Sequence, residues 1–398
     1  MEQGSERPLR ILHVFRAPLG GLFRHVLDVA RGQIERGHAV GIFCDSSTGG
    51  ARADDTLGEL AGQLALGVHR LPMRRMPHPR DLLALAALTS LHRRLRPDVL
   101  HGHGSKGGAF ARLVSVPGQD RSTIRAYTPH GGSFNYRPGS VVHYAYMKAE
   151  ALLDRRTDVF LFESDYVRSR FAQCVGQTTK LVRVVHNGIA DAEFEPLTRV
   201  PDPFDLVYIG ELRAAKGVET LIDAVALIRR EHGLRLTTLV VGGGPSEAEL
   251  HIRTQQAGIW DSTAFVPPQP IRQALSRGRI MVVPSLAESL PYVILEAAAA
   301  QQPLVSTNVG GIGEIFGPYA DELIPPGDPG RLAQAILSKV REQDEVRLAK
   351  TVALSGHVRS RFCIDRMVTE GLGGYRAARA ARGIAHERHL SAIPLSLP

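Results

Sequence analysis

A chain of 398 residues is longer than one hydrophobic core usually supports. With 43% apolar and 22% charged residues it has the composition of a globular protein, so two domains of about 200 residues each are expected. No apolar stretch reaches the roughly 18 to 20 residues of a membrane span, and the start, Met1 to Arg10, is too polar for a secretory signal, so a cytoplasmic protein is expected. The net charge of +8 lies in the first half, with 27 Lys and Arg against 19 Asp and Glu in residues 1–200 and 21 of each sign beyond, while aromatic residues at 6% are too few to stack nucleic-acid bases.

Short runs rich in Val, Ile and Leu alternate with helical stretches, which predicts parallel sheets covered by helices. Strands are predicted at 9–15, 39–43, 99–101, 122–127, 159–162 and 182–185, and again at 206–209, 236–241, 280–283 and 304–306. After the first strand, Pro18, Leu19, Gly20, Gly21 and Leu22 make a glycine turn that opens a helix. Glycines there let the backbone approach a ligand and aim N–H groups at it, although the spacing of a dinucleotide fingerprint is absent. Further on, Arg70, Arg74, Arg75, Arg80, Arg93, Arg94 and Arg96 bracket an apolar helical repeat, Leu82 to Leu91. A basic helix with one oily face suits anionic lipid, and it equally suits a packed helix with arginines at its ends.

His101 ends the third predicted strand and His103 follows it; their spacing suggests a metal, but no carboxylate or cysteine nearby completes a set. Cys44, Cys174 and Cys363 show no paired spacing and read as small buried residues. His130, in Pro129-His130-Gly131-Gly132, lies past a strand, and Asn187-Gly188 marks a turn whose glycine is expected to need a positive φ. Pro196, Pro201 and Pro203 mark 191–204 as the linker, between an N-terminal domain over 1–190 and a C-terminal domain over 205–375, with a helix and tail over 376–398. In the second domain Arg213 and Lys216 share the loop after a strand and before a helix, where a lysine is placed to neutralise a diphosphate. The turn around Gly243 reads as a wall for a nucleotide base, with ordinary turn chemistry an equal explanation.

The densest signal is the run from Pro284 to Glu296. It reads as a loop after a buried strand and then a helix with Ser289 as cap and Pro291 in its first turn. On that reading Glu288 sits at the helix mouth and Glu296 inside, and eight helical residues rise about 12 Å, so the two carboxylates hold groups that far apart. A sugar nucleotide has this shape: its sugar and ribose offer hydroxyls to carboxylates, and its diphosphate suits the N–H groups of a helix start. Glu296 lies among Val293, Ile294, Leu295 and Ala297, so its carboxylate needs a partner.

Strand, loop, helix and both glutamates together resemble the signature of glycosyltransferase family 4, the large retaining family with the two-domain GT-B fold. The resemblance implies two Rossmann-like, doubly wound domains facing a cleft, and a C-terminal helix that crosses back to the first domain. It implies a donor site formed by Gly20, Gly21, Arg213, Lys216, Gly243, Glu288, Ser289, Leu290 and Glu296, with His130, Arg213, Lys216 and Glu288 carrying the chemistry. Within it, Gly20 and Gly21 match the loop over the active site, Lys216 the diphosphate lysine, and His130 the histidine that hydrogen bonds to the transferred sugar. His101 and His103 resemble a family turn and are expected to line the cleft, and Asn187-Gly188 matches the hinge to the linker. Glu211 stands where the family often has arginine directly after a glycine, with Arg213 two places later; Gly313 replaces a proline before Glu314, which is expected to be structural or near the donor's edge.

The implied reaction moves a sugar from a nucleoside diphosphate to a hydroxyl of a glycan or lipid-linked acceptor, with retention and without a metal or cofactor. The implied setting is bacterial surface-polysaccharide or glycolipid synthesis, at most peripherally attached to the inner face of the membrane. The rivals are a sugar-nucleotide epimerase or inverting transferase of the same shape, and a catalytically silent sugar-nucleotide-binding protein.

Overall fold

The structure is a computed structural model that describes residues 7–132, 134 and 139–383; the expected tail beyond lies outside the described residues. Seven parallel strands form the first sheet: β1 (Arg10–Phe15), β2 (Ala39–Asp45), β3 (Gly67–Leu71), β4 (Val99–His103), β5 (Ile124–Thr128), β6 (Val159–Phe162) and β7 (Leu181–Val184). Their connections run through α1 (Gly20–Glu35), α2 (Gly50–Ala61), α3 (Asp81–Leu95), α4 (Gly104–Leu113), α5 (Val141–Asp154) and α6 (Asp165–Cys174). The second sheet holds β8 (Phe204–Ile209), β9 (Thr238–Val241), β10 (Thr263–Val266), β11 (Gly278–Val283) and β12 (Leu304–Ser306), again parallel. Around it lie α7 (Val218–His232), α8 (Glu247–Gln256), α9 (Ile271–Ser276), α10 (Tyr292–Ala299), α11 (Ile312–Phe316), α12 (Pro329–Arg341) and α13 (Asp344–Arg361), before α14 (Ile364–Ala381) ends the described chain.

All ten predicted strands form, and eight of them are central strands, whose covered faces need apolar runs; Ile11, Leu12, Val14 and Phe15 of β1 are fully buried. The two strands the sequence did not announce, β3 and β10, are edge strands whose residues are all half-buried. Gly67, His69 and Arg70 break up β3, and β10 opens on Thr263 and Ala264, so neither carries a clear apolar run; the other two edge strands, β7 and β12, are announced by Val182, Val184, Leu304 and Val305.

Strand order is β3-β2-β1-β4-β5-β6-β7 in one sheet and β10-β9-β8-β11-β12 in the other. In each, the direction of winding reverses between two central strands, β1 and β4 or β8 and β11, and the loops leaving those strands open a crevice. Those loops carry Gly20 and Gly21, the turn after His103, Lys216, and the stretch from Pro284 to Glu288. This is the GT-B architecture.

The chain crosses between the domains twice, side by side. Ile189 donates its N–H to Phe362 O (2.7 Å) and accepts from Ile364 N (3.2 Å). Gly188 is required here for closeness and not for a positive φ: a Cβ would lie 2.6 Å from Ile364 N and 2.7 Å from Cys363 O. The linker forms a short 3-10 turn, Asp191–Phe194, whose Phe194 is buried in the second core. The return helix was expected from 376, but α14 starts at Ile364 and packs Met367, Val368, Leu372 and Tyr375 into the core of the first sheet. Its apolar face already fits that sheet, so the crossing comes at Cys363.

Candidate active site

The C-terminal half of the site is built from the loops after β8 and β11. Lys216 closes a short 3-10 turn, and Gly217 follows with φ 64°, where a Cβ would sit 2.1 Å from the Pro284 carbonyl oxygen. The two loops are therefore in backbone contact, joined also by Leu286 N donating to Ala215 O at 2.9 Å. That contact brings Lys216 Nζ to 2.6 Å from Glu288 Oε1, which also accepts from Ser285 Oγ at 2.7 Å. Arg213 is more exposed and pairs with Glu211 at 2.9 Å. The turn at Gly243 supports this loop: Cβ atoms on Gly242 and Gly244 would strike Gly210 O (1.9 Å) and Leu212 O (2.4 Å), and Gly243 O accepts from Leu212 N at 3.0 Å.

Glu288 is not at a helix mouth. Helix α10 starts at Tyr292 with Pro291 at its N-cap, and Ser289 makes no capping hydrogen bond. A cap at 289 would use the N–H groups two and three residues on, and Pro291 has none. Ser289 instead offers its carbonyl to Gly311 N at 2.6 Å, while the buried Leu290 gives its carbonyl to Asn187 Nδ2 at 2.9 Å. The glycine pair after β12 is also closely approached: a Cβ would lie 2.1 Å from Glu288 O on Gly310, whose φ of 63° asks for glycine as well, and 2.6 Å from Ser289 O on Gly311.

Glu296 finds its partner in the other domain. Arg24, one turn into α1, donates to Glu296 Oε1, to Glu193 Oε2 (2.5 Å) and to Asp28 Oδ2 (3.2 Å), and lies 4.7 Å from the centre of the Tyr292 ring. Burial pushes the Glu296 carboxyl up against the pull of Arg24, and it pushes Asp28 up likewise. Burial also opposes charge on Arg24, but Glu296 and Glu193 override it and hold the guanidinium above its ordinary value. The two glutamates thus do not share one scaffold: Glu288 is held by a lysine of its own domain, Glu296 by an arginine across the crevice. Beside this contact a Cβ on Gly21 would lie 3.3 Å from the Tyr292 ring, while Gly20, with φ 61°, has open space. Nothing in the local sequence marked Arg24; a polar residue on an amphipathic helix is the commonest of patterns.

His130 adopts φ 54° and donates its backbone N–H to Glu163 Oε2 at 3.3 Å. Burial pushes the Glu163 carboxyl up to about 7. His101 and His103 are 2% and 1% exposed and do not line the cleft; they point into a buried group with His13 of β1 and His25 of α1. Histidines distant in sequence therefore complete the sets that spacing left incomplete. Among the described residues, ring nitrogens of His13, His101 and His103, and of His25, His103 and His130, lie within 4.8 Å of one another. His25 Nδ1 also meets Asn187 Oδ1 at 3.0 Å. Glu314, expected to be structural or near the donor, caps α6 from the opposite domain by accepting from Asp165 N (2.9 Å) and Tyr166 N (2.8 Å), and it pairs with His186 at 3.1 Å. Burial raises its pKa, but the bonds from His186 and the two N–H groups outweigh that and bring the carboxyl below its ordinary value.

Residues 203–342 match the family described as glycosyl transferases group 1, and residues 19–193 match glycosyltransferase family 4. A glycogen synthase of Mycobacterium tuberculosis is 29% identical over 351 residues, covering 80% of this chain and 82% of the relative. The putative teichuronic acid biosynthesis glycosyltransferase TuaC of Bacillus subtilis is 29% identical over 279 residues, 67% of each chain. The crystal structure of Anabaena Alr3699/HepE in complex with UDP superposes with a TM-score of 0.74 at 17% identity, covering 93% of this chain and 100% of that one. With the two sheets, their facing switch points and family matches in both halves, the chain belongs to glycosyltransferase family 4.

Proposed function

We propose that this glycosyltransferase takes its sugar from a nucleoside diphosphate and passes it, with retention and without a metal, to a hydroxyl of a glycan or lipid-linked acceptor. The observation that carries the reading is the Lys216–Glu288 pair at the crevice formed by the reversal of strand order. As the anomeric bond breaks, negative charge grows on the diphosphate and the sugar becomes oxocarbenium-like. Lys216, Arg213 and the N-terminus of the 16-residue helix α1 at Gly20 and Gly21 supply positive charge to that leaving group. Glu288 orients Lys216 and accepts from a sugar hydroxyl; Glu296 offers a ribose hydroxyl the oxygen that Arg24 does not take. The two glutamates, held by different cations, do not make the close acid–nucleophile couple of a retaining glycosidase. Retention then follows from attack on the face the diphosphate leaves, with the diphosphate as base.

HepE was crystallised with UDP, so UDP-sugars head the donor panel. Against UDP, GDP and ADP sugars, one nucleotide class is expected to raise the melting temperature by mass action. The transferred sugar should keep its anomeric configuration by NMR, and turnover should survive EDTA. A flat panel, an inverted product or a lost turnover each removes the corresponding part of the proposal.

The surface adds a peripheral membrane contact to the proposal. Among the described residues no helix is long and apolar enough to cross a membrane. Helix α3 buries Ala84, Leu88 and Leu91, but its start leaves Leu82 and Leu83 about seven-tenths exposed, beside exposed Met76, Arg74, Arg75 and Arg80. Apolar side chains within a basic rim suit an anionic bilayer surface. Vesicles rich in anionic lipid are expected to retain the protein at low salt and release the Leu82→Ser/Leu83→Ser variant. Equal retention of both, or of neither, would remove the membrane contact.

A further inference from the structure

A single file of side chains runs from the crevice into the N-terminal domain. His130 Nε2 lies 3.2 Å from His103 Nδ1, His103 Nε2 lies 2.9 Å from His13 Nδ1, and His13 Nε2 lies 2.9 Å from Gln33 Oε1. His103, His13 and Gln33 are almost wholly buried, and His130 is the member that solvent reaches. Gln33 is itself oriented, since its Nε2 donates to the hydroxyl of Tyr375 on α14 at 3.4 Å. That hydroxyl has one proton to give, and His101 Nδ1 stands 2.7 Å away to accept it. His101 then donates from Nε2 to Thr128 Oγ1 at 2.9 Å.

Direction along the file follows from valence. A neutral imidazole has one donor and one acceptor nitrogen. The Gln33 carbonyl can only accept, so His13 carries its proton on Nε2 and accepts at Nδ1. His103 must then be protonated on Nε2 and accept at Nδ1, and His130 must donate from Nε2. Burial keeps the rings neutral, holding His13 down to about 4 and His103 and His130 well below the ordinary histidine value. Every ring nitrogen of His13, His101 and His103 is thereby committed, so a metal ion could bind here only by breaking the file.

We propose that this file locks His130 in the Nε2–H tautomer, so that its Nδ1 lone pair is an acceptor reserved for a hydroxyl of the transferred sugar. His103, His13 and Gln33 are positioning residues, and the role assigned to His130 rests on the function proposed above. Were the Gln33 amide turned over, every proton in the file would reverse and His130 would present a donor instead. The groups that face His130 agree with this polarity. His25, its ring centre 4.8 Å away, gives its Nδ1 proton to Asn187 Oδ1, whose own amide donates to Leu290 O, and so is left with a bare Nε2. Glu163 meets His130 through the backbone N–H and not through the ring.

The test is a long-range proton–nitrogen correlation spectrum of the full chain with 15N-labelled histidines, without ligand and at neutral pH. His130, identified by the signal lost in His130→Gln, is expected with a protonated Nε2 and a bare Nδ1; a protonated Nδ1 overturns the proposal. In Gln33→Met, which keeps the volume but cannot accept from His13, His130 is expected as a mixture of tautomers. Donor kcat/KM should fall about tenfold, the worth of one hydrogen bond. A loss of activity with the His130 tautomer unchanged would reduce Gln33 to a packing residue and end the relay. The spectra need no donor, so a flat nucleotide panel would defeat the functional reading while leaving this result to stand or fall by itself.

Discussion

Lys216→Met should lower kcat for sugar transfer by about 100- to 1,000-fold, the loss seen when one preorganised donor to a developing negative charge is removed. The donor KM should change much less, because Lys216 meets the most charge when the diphosphate is departing and not when the donor is intact. The geometry makes the lysine a fixed group: its ammonium is held 2.6 Å from a Glu288 oxygen that Ser285 also binds, and the backbone contact of Gly217 with Pro284 locks the two loops together. Little reorganisation is then left for the moment of reaction. Steady-state kinetics on the donor that stabilises the protein provides the measurement. A variant that keeps more than a tenth of the wild-type kcat would remove Lys216 from the chemistry. Glu288→Gln separates orientation from charge, since it keeps a hydrogen bond to Lys216 and loses the ion pair.

The largest effect on stability is expected at a site away from the crevice. Arg112 on α4 is fully buried, its Nη2 2.8 Å from Glu150 Oε2 on α5, its Nε 2.9 Å from Gly108 O, and its guanidinium 3.8 Å over the Tyr127 ring. Tyr127 donates its hydroxyl to the other Glu150 oxygen at 2.9 Å, and burial raises that hydroxyl's pKa and keeps its proton on. Glu150→Ala strands both a buried cation and a buried hydroxyl, at a cost of roughly 3–5 kcal/mol. Replacing both charged partners, as Arg112→Leu/Glu150→Leu, should recover much of that loss, because an apolar pair needs no desolvated charge. Urea unfolding of the three proteins decides it, and a Glu150→Ala midpoint close to that of wild type would contradict the prediction. The pair also bears on the site: Tyr127 lies on β5 three residues before His130, so loosening β5 should also lower activity.

Some features were written locally and could be read from the chain. Central strands carry unbroken apolar runs because both faces of a parallel sheet are covered, and the loops that matter lie where glycines, Lys216 and Glu288 follow such runs. Strands β3 and β10, half-buried throughout and without a continuous apolar run, left no such trace. Glu296 announced that it needed a partner, since a carboxylate among alanines, leucine and isoleucine cannot stay unpaired, but the partner was out of reach. Arg24 lies 272 positions away in an ordinary amphipathic helix. Gly188 was legible as a glycine and not in its cause, which is the approach of a second backbone and not its own dihedral angle.

The histidines divide in the same way. The sequence shows His101 and His103 two apart on a strand, and His130 after the next one. Only the parallel pairing of β1 with β4, which sets His13 opposite His101 in register, aligns a third ring with them, and only α1 and the returning α14 bring Gln33 and Tyr375 to its far end. By itself, then, the chain determined two doubly wound domains, the family, and the loops that form the crevice, because those depend on patterns a few residues long. Which buried charge or ring meets which was decided by docking sheet on helix and domain on domain. A residue's local periodicity records that it is buried, whereas the group it is buried against is chosen by elements that can lie hundreds of positions away.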